Sequence, residues 1–109
     1  MQGVYEGYTK NGLRDGQGRQ VDPKGGCFIG SWVQGLQSGF GSKSYKSGDR
    51  YEGNYLESKR SGSGIYMWRN GDVYSGEWEK GFFDGKGSFT WASGTADLAL
   101  LNIQIFTYP

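Results

Sequence analysis

"YEGNYLESKRSGSGIYMWRNGD" occupies residues 51–72, and "YSGEWEKGFFDGKGSFTWASGT" follows at 74–95. The two stretches agree aromatic for aromatic and glycine for glycine, with starts 23 residues apart. Stepping back by the same interval from Tyr51 lands on Phe28 and then Tyr5, so the chain divides into units 5–27, 28–50, 51–73 and 74–96 without an insertion. A fixed period of this length marks an array of stacked supersecondary units rather than an isolated catalytic fold.

The columns carry the reading. Position 1 of the unit is Tyr5, Phe28, Tyr51, Tyr74, and position 5 is Thr9, Trp32, Tyr55, Trp78. Glycine recurs at positions 3, 12, 14 and 21, and at position 8 in three units. These columns hold 19 of the chain's 21 glycines. Glycine content alone would suit a disordered chain, but glycine placed this regularly, beside 17% aromatic residues, serves a structure.

Positions 1 to 5 alternate aromatic, polar, glycine, polar, aromatic, the period of a half-buried strand. "NG", "QG", "ES" or "KG" then opens a turn region that the position-12 glycine closes, and a second strand carries Tyr66 and Trp68, or Phe89 and Trp91. "NG" at 70–71 and "SG" at 93–94 lead into the next unit. Each unit therefore reads as a β-hairpin. One hairpin cannot bury its rings alone, whereas a row of them can, each ring removing 150–250 Å² from water. The glycines at repeat positions 3 and 14 share the aromatic face, so a ring from the neighbouring unit is expected to lie on their bare backbone. The fold class is all-β: an elongated, open antiparallel sheet of stacked β-hairpins.

Composition excludes several functions. Twelve Lys+Arg against eleven Asp+Glu leave a net charge of +1, with no global field for nucleic acid or an anionic membrane. Histidine is absent and Cys27 is the single cysteine, which removes the commonest general base and any intrachain disulfide. Cys27 reads as a filler between units. "GFFDGKGS" at 81–88 falls short of a phosphate loop by one spacer residue and lacks its Ser/Thr. Glu77 and Glu79 lie two apart on a solvent-facing strand side, and the aromatic–lysine alternation lacks the basic stripe of a single-strand binder. No cofactor and no metal is expected. The N-terminus lacks a signal-peptide pattern and no stretch is long and apolar enough for a membrane-spanning helix, so a cytoplasmic setting is expected.

These residues resemble MORN repeats (membrane occupation and recognition nexus), with a pattern close to YEGEW-x-NG-x-x-x-G-x-G-x-Y-x-W-x-x-G. The match is strongest in the last two units and thinnest in the first, where Thr9, Gln20 and Asp22 replace rings; unit two has Lys43 at position 16 and unit three has Ser58 for glycine. The N-terminal hairpin is accordingly expected to be the loosest. The resemblance implies an aromatic-lined groove and a scaffolding role. Such arrays occur in axonemal and other cytoskeletal proteins, in membrane-bridging proteins, and beside the catalytic domains of some kinases and a methyltransferase.

Two surfaces are candidates for binding. The groove is expected to present Trp32, Tyr55, Tyr66, Trp68, Trp78, Phe89 and Trp91 to a peptide or helix. The loop at positions 9–11 offers Leu36, Lys59, Arg60, Phe82 and Phe83. The expected function is a non-enzymatic interaction or scaffold module in a cytoskeletal or ciliary (flagellar) assembly, with self-association between arrays as a further expectation. The alternatives are a membrane-proximal tether for anionic phospholipid, for which only Lys59–Arg60 supplies a basic pair, and a regulatory module of a larger enzyme. Residues 97–109, "DLALLNIQIFTYP", break the pattern. They read as a capping strand, as the tail of an alternative or truncated product, or as a docking motif.

Overall fold

The computed structural model describes residues 3–92 and, as backbone, 96–105. The described residues form one nine-stranded sheet in sequence order, with extents of 46 × 24 × 18 Å for the molecule. Its strands are β1 (Val4–Lys10), β2 (Leu13–Val21), β3 (Gly26–Val33), β4 (Leu36–Tyr45), β5 (Arg50–Leu56), β6 (Lys59–Met67), β7 (Val73–Glu79), β8 (Phe82–Thr90) and β9 (Ala96–Ile105). Every neighbouring pair is antiparallel. The tail supplies β9, whose Leu101 opposes Gly85 and whose Ala99 opposes Gly87. The turn at 93–94 and the alternation of Leu101, Ile103 and Ile105 fall on residues or side chains outside the described ones.

The hairpin turns are tighter than the spacing suggested. Each is two residues long, and both residues take positive φ: Asn11 (53°) and Gly12 (80°), Gln34 (49°) and Gly35 (86°), Glu57 (49°) and Ser58 (67°), Lys80 (52°) and Gly81 (90°). Turns of that hand match the right-handed twist of the flanking strands. The residues read as loop positions 9 to 11 consequently sit inside β4, β6 and β8, and the position-12 glycine does not close a loop. It marks instead the strand opposite an irregularity: pairing shifts between positions 3 and 5 in all four units, as at Gly53/Tyr55, and Gly16, Gly39 and Gly62 take positive φ.

Register brings the glycines of positions 3 and 14 into one unbroken lane crossing the sheet: Gly7, Gly18, Gly30, Gly41, Gly53, Gly64, Gly76 and Gly87. A ring roofs this lane at every unit. It comes from the unit's own position 1, not from the neighbour: a Cβ on Gly41 would strike Phe28, one on Gly64 would strike Tyr51, and one on Gly87 would strike Tyr74. The cause is the pairing irregularity. It leaves the position-4 carbonyl outside the regular pairing of its own hairpin, and the tyrosine hydroxyl reaches along its strand to satisfy it: Tyr5 to Tyr8 O (2.7 Å), Tyr51 to Asn54 O (3.0 Å), Tyr74 to Glu77 O (3.0 Å).

What joins unit to unit is the position-5 ring. Trp32 Nε1 donates to Gly18 O of the preceding unit at 3.3 Å, and Trp78 Nε1 donates to Gly64 O at 3.1 Å. The rings then run edge to face without interruption, Tyr5–Trp32–Phe28–Tyr55–Tyr51–Trp78–Tyr74, at centroid separations of 5.1–5.5 Å and angles of 83–88°. This is the favoured quadrupole geometry, adding about 0.5–1.5 kcal/mol per pair beyond area burial. Both ends of the hairpins are also clipped. Gly35, Ser58 and Gly81 donate backbone N–H groups to Arg14, Gln37 and Arg60 of the previous unit, and Asp49 and Asp72 accept from the backbone N–H of Arg69 and Ala92 in the next.

Candidate binding surface

The sheet has two unlike faces. On the ring face, Phe28, Trp32, Tyr51, Tyr55, Tyr66, Tyr74, Trp78 and Phe83 are buried and form the core. Four residues expected to line an open groove, Trp32, Tyr55, Tyr66 and Trp78, are thus closed off. The twisted sheet lets position-1, position-5 and position-16 rings fill one another's gaps, so no free ring surface is left there. Trp68 and Phe89 are partly buried against this core, and Trp91 is 40% exposed. Tyr45, Trp68 and Trp91 share position 18, which forms a half-open rim beside the buried rows. Trp91 stacks on Phe89 (5.5 Å, 11°), and Phe89 on Trp68 (6.3 Å, 22°).

The residues read as a loop divide between the faces. Position 10 pairs with position 5, so Arg60 and Phe83 turn inward. Phe83 joins the core, and the Arg60 guanidinium lies 4.7 Å from the Trp78 ring centre while donating to Gly81 O at 2.7 Å. Arg14 shows the same arrangement two units earlier, over Trp32 at 4.4 Å and on Gly35 O at 2.8 Å. Arg60 is therefore built into the seam between units, and the basic pair read at 59–60 is split. Position 9 points the other way: Leu36, Lys59 and Phe82 are exposed on the back face. Strand parity gives the signal that finds this division, since a two-residue turn returns the chain in phase.

Sequence reasoning missed the back face. It carries the exposed Tyr8, Ile29, Val33, Phe40, Leu56 and Ile65. Phe40 and Ile65 border a shallow depression of about 380 Å³ with Glu52, Asn54 and Glu77, whose floor includes Gly53, Gly64 and Gly76. Burial pushes the phenols of Tyr51, Tyr55, Tyr66 and Tyr74 upward, the last to about 12. They stay neutral around neutral pH; Tyr51 and Tyr74 donate to backbone carbonyls, and Tyr66 donates to the buried Asp49 carboxylate at 2.8 Å.

A period of 23 residues, glycines in register and a ring over each glycine pair together define the repeat, and the MORN repeat family model matches residues 5–27, 28–50, 51–73 and 74–96. The chain belongs to the MORN-repeat family. A search of curated proteins finds no match to it. MORN repeats are non-enzymatic interaction or membrane-associated modules. Among the described residues of this MORN array, no helix is long and apolar enough to cross a membrane.

Proposed function

We propose that this MORN array is a non-enzymatic interaction module that docks an extended or helical segment of a partner protein along the rim of its ring face, in a cytoplasmic scaffold of the cytoskeletal or ciliary kind. One observation carries this reading: the position-18 column of Tyr45, Trp68 and Trp91 stays half-open or open while the neighbouring ring columns are closed. Amphipathic aromatic rings held rigidly at a regular spacing give a partner large contact area at little conformational cost. The test is affinity capture with the intact chain as bait, comparing the native sequence with Trp91→Ala and Trp68→Ala. A partner held by the native chain and lost from Trp91→Ala, with unchanged circular dichroism, supports the reading. Capture of that partner undiminished by both substitutions overturns it.

A further inference from the structure

At two seams of the array, a position-10 arginine covers the position-5 ring of the following unit: Arg14 over Trp32 and Arg60 over Trp78. The seam between the second and third units breaks this scheme, because Gln37 stands at position 10 and Lys43 replaces the position-16 ring. What results is a cavity of about 240 Å³ bordered by Gln37, Lys43, Tyr45, Tyr55, Lys59 and Arg60. Lys43 and Arg60 bring positive charge to it, Lys59 adds its charge from the back face, and none of the six is anionic. On its wall the hydroxyl of Tyr55, a residue only 6% exposed, is buried without a hydrogen-bond partner. The Tyr45 hydroxyl lies near enough to bear on its ionisation but makes no hydrogen bond to it within ordinary geometry. Buried polar groups left unpaired in a cavity mark a place for a ligand atom.

We propose that this seam is a pocket for a carboxylate carried on the partner segment, with one oxygen accepting from the Tyr55 hydroxyl and the other from the Lys43 ammonium. A hole vacated by a guanidinium would accept a cation from outside if its surroundings were neutral; Lys43 and Arg60 repel one. The nearest buried acid, Asp49, is committed to the Tyr66 hydroxyl and the Arg69 N–H, both at 2.8 Å. Arg60 donates one of its five N–H groups to Gly81 O and adds a positive field at the pocket's edge. A carboxylate has two acceptor oxygens, one for each of the two donors whose residues border the cavity. Tyr45 belongs both to this pocket and to the aromatic rim, which makes the pocket continuous with the docking track; the proposal rests on that docking reading for its occupant.

The test is a heteronuclear NMR titration of the full 109-residue chain with a capped hexaglutamate peptide. Hexalysine and inorganic phosphate at matched ionic strength are the comparison probes. Saturable amide shifts confined to Gln37, Lys43, Tyr45 and Lys59 are expected, with a dissociation constant on the order of 1 mM for one carboxylate site. Binding should weaken about tenfold in Lys43→Gln. It should vanish in Lys43→Tyr, which refills the hole with the ring type used elsewhere, and persist in Lys24→Gln at a remote turn. Equal shifts at Lys24 and Lys80, a response to phosphate or hexalysine alone, or retained binding in Lys43→Tyr would overturn the pocket. Because the probe is a free peptide, failure here alongside Trp91-dependent capture removes only the pocket, and the converse pair of results removes only the docking track.

Discussion

Gly64→Ala tests the lane of glycines most directly. The added methyl would sit 2.5 Å from Cε1 and Cζ of Tyr51, against an ordinary carbon–carbon contact of about 3.5–4.0 Å, so something must move by about 1 Å or more. The ring has nowhere to go. Tyr51 is fully buried, its hydroxyl is held by Asn54 O at 3.0 Å, and Tyr55 and Trp78 pack against its ring at 5.3 and 5.2 Å. Expelling it forfeits about 4–6 kcal/mol of ring burial; overpacking the backbone instead costs about 1–3 kcal/mol or more. The cheaper route wins, at the upper end of its range because Gly64 is hemmed in by paired glycines on both sides. Alanine recovers about 0.4–1 kcal/mol through the unfolded chain, so a net loss of about 2–4 kcal/mol is expected from urea titrations followed by tryptophan fluorescence. Gly81→Ala is the comparison: nothing lies within 4 Å of its added methyl, and the cost is the positive φ of 90° alone, about 1–2 kcal/mol. In a Tyr51→Val background the Gly64→Ala penalty should fall below about 1 kcal/mol. A penalty smaller than that of Gly81→Ala, or one unchanged by Tyr51→Val, would refute the roofing of glycine by the ring.

Three further expectations follow from the same contacts. Phe28 is the one position-1 ring without a hydroxyl, so Phe28→Tyr should bond Ser31 O as its counterparts do and raise the urea midpoint by about 0.5–1.5 kcal/mol equivalent. Asp49→Ala removes the acceptor of both the Tyr66 hydroxyl and the Arg69 N–H, and should cost about 2–4 kcal/mol in thermal or urea unfolding, more than Asp72→Ala, whose carboxylate is only half-buried. Alkali should unfold the array. Burial holds the folded phenols of Tyr51, Tyr55, Tyr66 and Tyr74 above their unfolded value near 10, so the folded state keeps its protons longer. Stability is then intact below about pH 10 and falls by about 1.4 kcal/mol per pH unit per such phenol above it, towards about pH 12 for Tyr74. Urea midpoints measured between about pH 8 and pH 11 that stay flat would contradict this.

The hairpin array was legible because its determinants are local and repeated: turn pairs with positive φ, glycines at two fixed columns, rings two and four positions from them. Less legible was which rings remain open. Alternation places Trp78 and Trp91 on one face, but only the register shows that Trp78 fills the gap left by Tyr51 and Tyr74, while Trp91 overhangs the edge. The period alone points the ring at the neighbouring unit because it cannot reveal the irregularity at position 4, and it is that irregularity which steers the tyrosine along its own strand. Likewise, Lys59 and Arg60 look like one basic patch until strand parity sends them to opposite faces. Lys43 reads as a local departure from the repeat; its meaning as part of one cavity emerges only when it and Gln37 are seen to flank Tyr55.

Strand order follows chain order from β1 to β9 with no crossover. Such a chain closes only short loops as it folds, and it can start from whichever hairpin forms first and zip outward as it leaves the ribosome. The Lys43 junction, where a cavity stands in place of a ring, is then a point at which that zipper can pause.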